Sequence, residues 1–194
     1  MEFLIYGCGG LAGDVSDTPQ LDEEHWSYMD TYADRMTARG PTLSADRQTW
    51  TGSLHVLDLP HAQAAQEFAA DDPYHRAGMF SDHLIRRFDN RLGRSMWDFT
   101  LGSGDMPFLV LAASGEDDRR PASPARYSPS LGLSERLVVW GTLSSPDEQL
   151  PSGVALAIAA PDQDAVRSIL ANEPAILGGC AQYEIHAWEF GGRR

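Results

Sequence analysis

Gly52-Ser53-Leu54-His55-Val56-Leu57-Asp58-Leu59-Pro60 and Gly153-Val154-Ala155-Leu156-Ala157-Ile158-Ala159-Ala160-Pro161 share one frame: an apolar run opened by glycine and closed by proline. The two stretches stand 101 residues apart. The same offset carries Gly40 onto Gly141, Ala64 onto Ala165, Pro73 onto Pro174 and Gly78 onto Gly179. Glycine and proline constrain the backbone in opposite ways, so agreement at five such positions without a gap implies a shared chain path. A repeat of this period decides how the rest of the chain is read. The side chains between these positions have diverged further than the positions themselves.

Outward from these stretches, the first half reads β-α-β-β-α-β. Phe3 to Cys8 is an apolar strand, followed by a polar loop from Gly9 to Gln20. Asp22 is the expected N-cap of a helix from Glu23 to Ala38. Its predicted buried stripe is Trp26, Met29, Ala33 and Met36. Arg39-Gly40-Pro41 is the expected helix stop, with a short extended piece at 42–44. Ser53 to Asp58 is the next strand. Pro60 opens a helix with Ala62, Ala65, Phe68 and Ala69 inward, and His83 to Phe88 closes the unit. In the second half the expected strands are Phe108–Ala113, Arg136–Leu143, Val154–Ala159 and Tyr183–Trp188. Pro161 opens a helix that turns Ala165, Val166, Ile169 and Leu170 inward. Between Gly115 and Pro129 the charges and prolines predict a loop and then a short helix. Arg94 to Asp105 connects the halves. The expected fold is therefore α+β: two tandem ferredoxin-like units, residues 1–94 and 106–194, each an antiparallel sheet with its helices on one face. Packed together, the two sheets cover each other's open faces.

The bulk properties exclude several classes. A net charge of −13 opposes binding to nucleic acid phosphates. No apolar window is long enough to span a bilayer. The opening Met1-Glu2-Phe3-Leu4-Ile5-Tyr6 lacks the basic residues and the length of a signal peptide, so a cytoplasmic protein is expected. Cys8 and Cys180 lie in different halves without metal-ligand spacing, which predicts two buried, reduced thiols.

Particular residues of the first half carry a resemblance. His25 precedes Arg39-Gly40-Pro41. Thr51-Gly52-Ser53-Leu54-His55-Val56 follows, and then Ala64-Ala65-Gln66-Glu67-Phe68-Ala69-Ala70-Asp71-Asp72-Pro73-Tyr74 with Ala77-Gly78. In this order they resemble the YciI-like family (YCII-related domain) over residues 3–93. The second half is similar in skeleton only, with Glu173-Pro174 in place of Asp-Pro. The resemblance implies a dimeric α/β-barrel fold, so a tandem copy would be a built-in pseudo-dimer. It also implies a His–Asp active site, here His25 and Asp72, and chemistry like that of a dehydrochlorinase of hydroxylated aromatics. Fold relatives include muconolactone isomerases and cofactor-free monooxygenases.

Imidazole exchanges protons near neutral pH, and a carboxylate on one ring nitrogen fixes the tautomer and stabilises the imidazolium. The pair is expected within hydrogen-bond reach, about 2.6–3.2 Å, or bridged by one water. Without the resemblance, Asp72 caps the turn before Pro73 and His25 is a surface residue at a helix start. A residue in that position contributes little packing, so His25→Ala is expected to leave folding nearly intact. Trp26, Tyr28, Trp50, Tyr74 and Phe80 are candidate pocket aromatics, with Trp26, Trp50 and Tyr74 chosen as substrate-binding residues; aromatics are otherwise core residues. His55, His61, His75 and His83 show no ligand spacing, so no metal site is expected. Gly7-Cys8-Gly9-Gly10 lacks the phosphate-loop pattern. At the offset of 101, Arg126 replaces His25 and Glu173 replaces Asp72. Arginine cannot act as a base, though it can bind an anionic group, and one site per chain is expected. The reading is a small cofactor-free enzyme, a lyase or isomerase, that abstracts a proton from a cyclic or aromatic-derived small molecule. Its rivals are a non-catalytic ligand-binding or assembly module and a cofactor-free monooxygenase. Further association into a homodimer stays open.

Overall fold

The computed structural model describes residues 1–10, 19–113, 127–147 and 150–192. The first half supplies strands β1 (Glu2–Gly9), β2 (Met36–Leu43), β3 (Trp50–Asp58) and β4 (Phe80–Asn90). The second supplies β5 (Met106–Ala113), β6 (Leu137–Ser144), β7 (Pro151–Ala160) and β8 (Glu184–Trp188). The helices are α1 (Pro19–Asp30), α2 (Ala62–Asp71), α3 (Pro73–Arg76), α4 (Leu131–Ser134) and α5 (Gln163–Asn172).

Strands of the first half pair antiparallel in the order β4-β1-β3-β2, and those of the second in the order β8-β5-β7-β6. The two sheets meet edge to edge as well as face to face. β2 pairs with β8 through Thr42–Trp188 and Leu43–Ala187, and β4 pairs with β6 from Arg87–Ser144 to Asn90–Gly141. The result is a closed eight-stranded barrel. The two joining ladders are short, two residue pairs between β2 and β8 and four between β4 and β6.

Alternation along the strands divides the core into layers. Leu4, Tyr6, Leu54 and Val56 form one cluster with Leu109, Leu111, Ala155, Ala157 and Trp188, and this joint cluster fills the barrel. Phe3, Ile5 and Leu57 point the other way and pack beneath Met29, Ala65 and Phe68 of α1 and α2. The corresponding outer face of the second half packs Phe108, Val110, Leu156 and Ile158 against Val166 and Leu170 of α5.

The first helix differs from expectation. It ends at Asp30, and the chain passes through a 3₁₀ turn (Ala33–Arg35) into β2. Met36 thus opens a strand, and Arg39-Gly40-Pro41 lies within it. Within α1 the buried residues are His25 and Met29, four apart on one face, while Trp26 is 48% exposed. Asp22 lies inside the helix and accepts a hydrogen bond from the Tyr74 hydroxyl instead of capping it. Pro60 precedes the cap of α2: His61 is the N-cap, its Nδ1 accepting from the Ala64 N–H at 3.1 Å.

Gly-Pro inside β2 is a packing requirement. Gly40 has φ +153°, and a methyl group there would collide with the Glu189 carbonyl of the C-terminal segment running alongside. Gly141, its counterpart at the offset of 101, meets the Asp89 carbonyl in the same way. Gly40 sits where the segment after β8 crosses it, and Gly141 where β4 does. A glycine in a strand marks close backbone approach. Gly40→Ala is therefore expected to destabilise the protein by about 3 kcal/mol, combining backbone strain with overpacking. Denaturant titration checks this, and an unchanged midpoint would refute the close approach.

Candidate active site

His25 enters the site from α1, with 6% of its surface exposed. Asp72 is the residue between α2 and α3, 2% exposed. It is held there because it caps α3: its Oδ1 accepts the Tyr74 N–H at 2.9 Å while Pro73 takes the first helical position. The same Oδ1 lies 2.7 Å from His25 Nδ1. The capping and pairing roles of Asp72 thus coexist. His25 is the seventh residue of α1 and is buried, so the expectation of a surface residue at a helix start is corrected.

Tyr74 stacks on the His25 ring at 3.9 Å between centroids and 4° between planes. Its hydroxyl donates to Asp22, and burial first, then Asp22, pushes the phenol pKa upward. Opposite lies His55 of β3, 4% exposed, its ring 5.9 Å from that of His25. Burial holds His55 down at about 3, well below its ordinary value, so it is neutral at physiological pH.

These side chains border a cleft of about 430 Å³ between α1, the β2–β3 surface and the C-terminal segment. Trp26, Trp50 and Tyr74 line it, as the sequence reading expected. Trp26 does so from an exposed position. Tyr28 and Phe80 do not line it: Tyr28 packs on Phe68 and donates to its carbonyl at 3.0 Å, and Phe80 packs beside Trp50 and Gly7. Arg126 lies outside the described residues.

Sequence reasoning missed His55, Arg39 and Phe190 as wall residues. His55 was legible as a strand residue; in the structure it pairs across the β1–β3 ladder with Ile5, on the layer beneath α1 and α2. Arg39 was misassigned to a helix end. It is 6% exposed, pairs with Asp30 at 2.9 Å and donates to the Gly192 carbonyl. Phe190 arrives from the opposite end of the chain, with the Gly191 N–H bonded to the Arg39 carbonyl at 2.8 Å. No local pattern could have announced that contact.

Among the described residues, His25, His55 and Asp72 bring their ligand atoms within 4.8 Å of one another. Two of these donors share the 2.7 Å His25–Asp72 hydrogen bond, in which a proton occupies the place that a metal would take.

The second half offers a different arrangement. At the offset of 101, Trp140 stands for Arg39, Leu156 for His55 and Glu173 for Asp72. Trp140 is buried, donates Nε1–H to the Ile176 carbonyl at 3.3 Å and packs edge-on to Tyr127 at 5.8 Å. Glu173 accepts from the Tyr127 and Ser130 hydroxyls, which hold its carboxyl below the usual range.

Residues 1–89 match the YCII-related domain family. An uncharacterized protein of Haemophilus influenzae is 32% identical over 59 residues, which is 28% of this chain and 60% of that protein. The chain therefore spans less than two thirds of that relative. Among solved structures, 5-chloro-2-hydroxyhydroquinone dehydrochlorinase from Burkholderia phenoliruptrix, in complex with 2,5-dihydroxybenzoquinone, is 24% identical with a TM-score of 0.43. It matches 49% of this chain and all of its own. An anthrone oxidase-like protein is 10% identical with a TM-score of 0.52, covering 98% of this chain and 91% of its own, a likeness of fold.

Proposed function

We propose that the cleft is the active site of a small enzyme that abstracts a proton from a cyclic or aromatic-derived small molecule and completes an elimination or isomerisation. His25 is the base and Asp72 orients it. The observation that supports this reading is the buried 2.7 Å contact between His25 Nδ1 and Asp72 Oδ1 at the wall of an aromatic-lined cleft. With Asp72 on Nδ1, the free lone pair falls on Nε2, and the carboxylate stabilises the imidazolium that forms. A substrate C–H or O–H bond breaks, an Nε2–H bond forms, and the electron pair moves into the substrate. In an elimination that pair expels a leaving group; in an isomerisation the proton returns at another atom. Trp26, Trp50 and Tyr74 would hold the ring. These steps call on no cofactor.

The chain is read as a tandem duplication with one working site. Residues 1–94 carry the dyad. Residues 106–194 keep the skeleton, fill the equivalent space with Trp140 and Leu156, and contribute Phe190 as a wall of the first half's cleft.

Solvent exchange tests the chemistry without knowledge of the product. In D₂O, the protein should catalyse deuterium incorporation into at least one member of a panel of phenols, cyclic enones and unsaturated lactones, read by proton NMR. His25→Gln should not. Binding without exchange across the panel would instead support a ligand-binding module, and oxygen uptake with a bound ligand would support the monooxygenase reading.

A further inference from the structure

We propose that His55 is a second ligand-contacting side chain of the cleft, presenting a ring nitrogen from β3 opposite His25 on α1. This rests on the reading of the cleft as a site of proton abstraction. The ring is 4% exposed and packs against Phe68 at 5.6 Å and His25 at 5.9 Å, yet it lines the cleft. One ring nitrogen of His55 lies in a three-donor group with His25 and Asp72, their atoms within 4.8 Å of one another, at the wall of the cleft. A polar ring in so buried a setting is costly unless its nitrogens find partners. The cavity in front of it is where a ligand can supply one. The second half makes the contrast: Leu156 stands at the equivalent strand position, fully buried in a packed core, where no polar atom is needed.

The role follows from its surroundings. Burial is the largest influence keeping a proton off His55; Asp72 favours one, and His25, Arg39 and His83 oppose it. His55 therefore does not compete with His25 for the substrate proton. It donates its N–H to a ligand oxygen, and that proton stays on His55. When His25 takes a proton from the ring, the electron pair that was in the broken bond collects on the oxygen facing His55. The ligand class is a planar ring that carries an oxygen across from the proton it loses.

The probe for this is 4-nitrophenol, a planar phenol, titrated into protein labelled with ¹⁵N-histidine, with ring signals assigned from His25→Gln and His55→Leu. Ring nitrogens of both His25 and His55 are expected to shift along one saturation curve. His55→Leu should bind the probe about five- to tenfold more weakly, the loss of one hydrogen bond. His55→Gln, which keeps an N–H, should recover most of the affinity. If His25 shifts and His55 does not, the contact proposed for His55 is wrong while the dyad stands. The same holds if His55→Leu binds like the parent. If neither ring responds, the cleft is not a site for phenolic ligands, and both proposals fall.

Discussion

His25→Ala is expected to lower stability by about 3 kcal/mol and to abolish turnover, whereas Asp72→Asn is expected to spare most of the stability and still remove the activity. The first effect follows from burial. With His25 gone, the Asp72 carboxylate, 2% exposed, keeps only the Tyr74 N–H, and Tyr74 loses the ring on which it stacks. Removing one partner of a buried pair costs about 3–5 kcal/mol; the remaining N–H moderates this toward the lower end. Asparagine at 72 is nearly isosteric. Its Oδ1 can accept from both the Tyr74 N–H and the His25 Nδ1–H, as the carboxylate oxygen does, but the neutral amide no longer stabilises the imidazolium that forms on proton abstraction. A loss of about 10²–10⁴ in turnover is the ordinary worth of a positioned base. Denaturant titration and kcat on both variants, together with the double variant, separate the two roles. If Asp72→Asn kept full activity, the role of the Asp72 charge in stabilising the imidazolium would fall. The sequence-level expectation that His25→Ala leaves folding nearly intact depended on a helix-start position, and the buried middle of α1 removes that basis.

Much of the fold was legible because its signals are local. The glycine-proline frame around β3 and β7 fixed two strands and the helices after them, and the four-residue spacing of Val166 and Leu170 gave the inward face of α5. The first helix was misread because a conflict between local and distant causes was resolved the wrong way. Arg39-Gly40-Pro41 looks like a helix stop, yet Gly40 is there for Glu189, far along the chain. The same error moved the helix phase by one residue, which put Trp26 inside and His25 outside. The pair itself survived through the resemblance to a family, since nothing within α1 or the Asp-Pro turn alone requires the two to meet. His55 and Phe190 were invisible as wall residues for a simpler reason. A strand histidine faces either layer with equal ease, and a C-terminal segment has no sequence mark for the cleft it borders.

Acidification should expose His55 in the stability curve. Its folded-state pKa of about 3 lies below the ordinary 6.5 that it regains on unfolding, and the largest cause is burial. Between those values the unfolded chain binds a proton that the folded chain refuses. Stability therefore rises with pH through this window, is complete above about pH 7, and is lost as pH falls from 6.5 toward 3. At pH 5 the loss is about 2 kcal/mol, from 1.36 kcal/mol for each unit below 6.5. His83 and His186 are also held below their ordinary values by burial, so the protein's whole acid limb is steeper than His55 alone would make it. Subtraction isolates the contribution. In His55→Leu those two histidines remain, and the difference in unfolding free energy between the variant and the parent should widen in the variant's favour by about 2 kcal/mol from pH 7 to pH 5. Urea titrations at the two pH values measure this directly. Parallel curves would mean that His55 takes up its proton in the folded state. It would then be a cation at the wall of the cleft, and the division of labour between a proton-accepting His25 and a neutral, donating His55 would have to be abandoned.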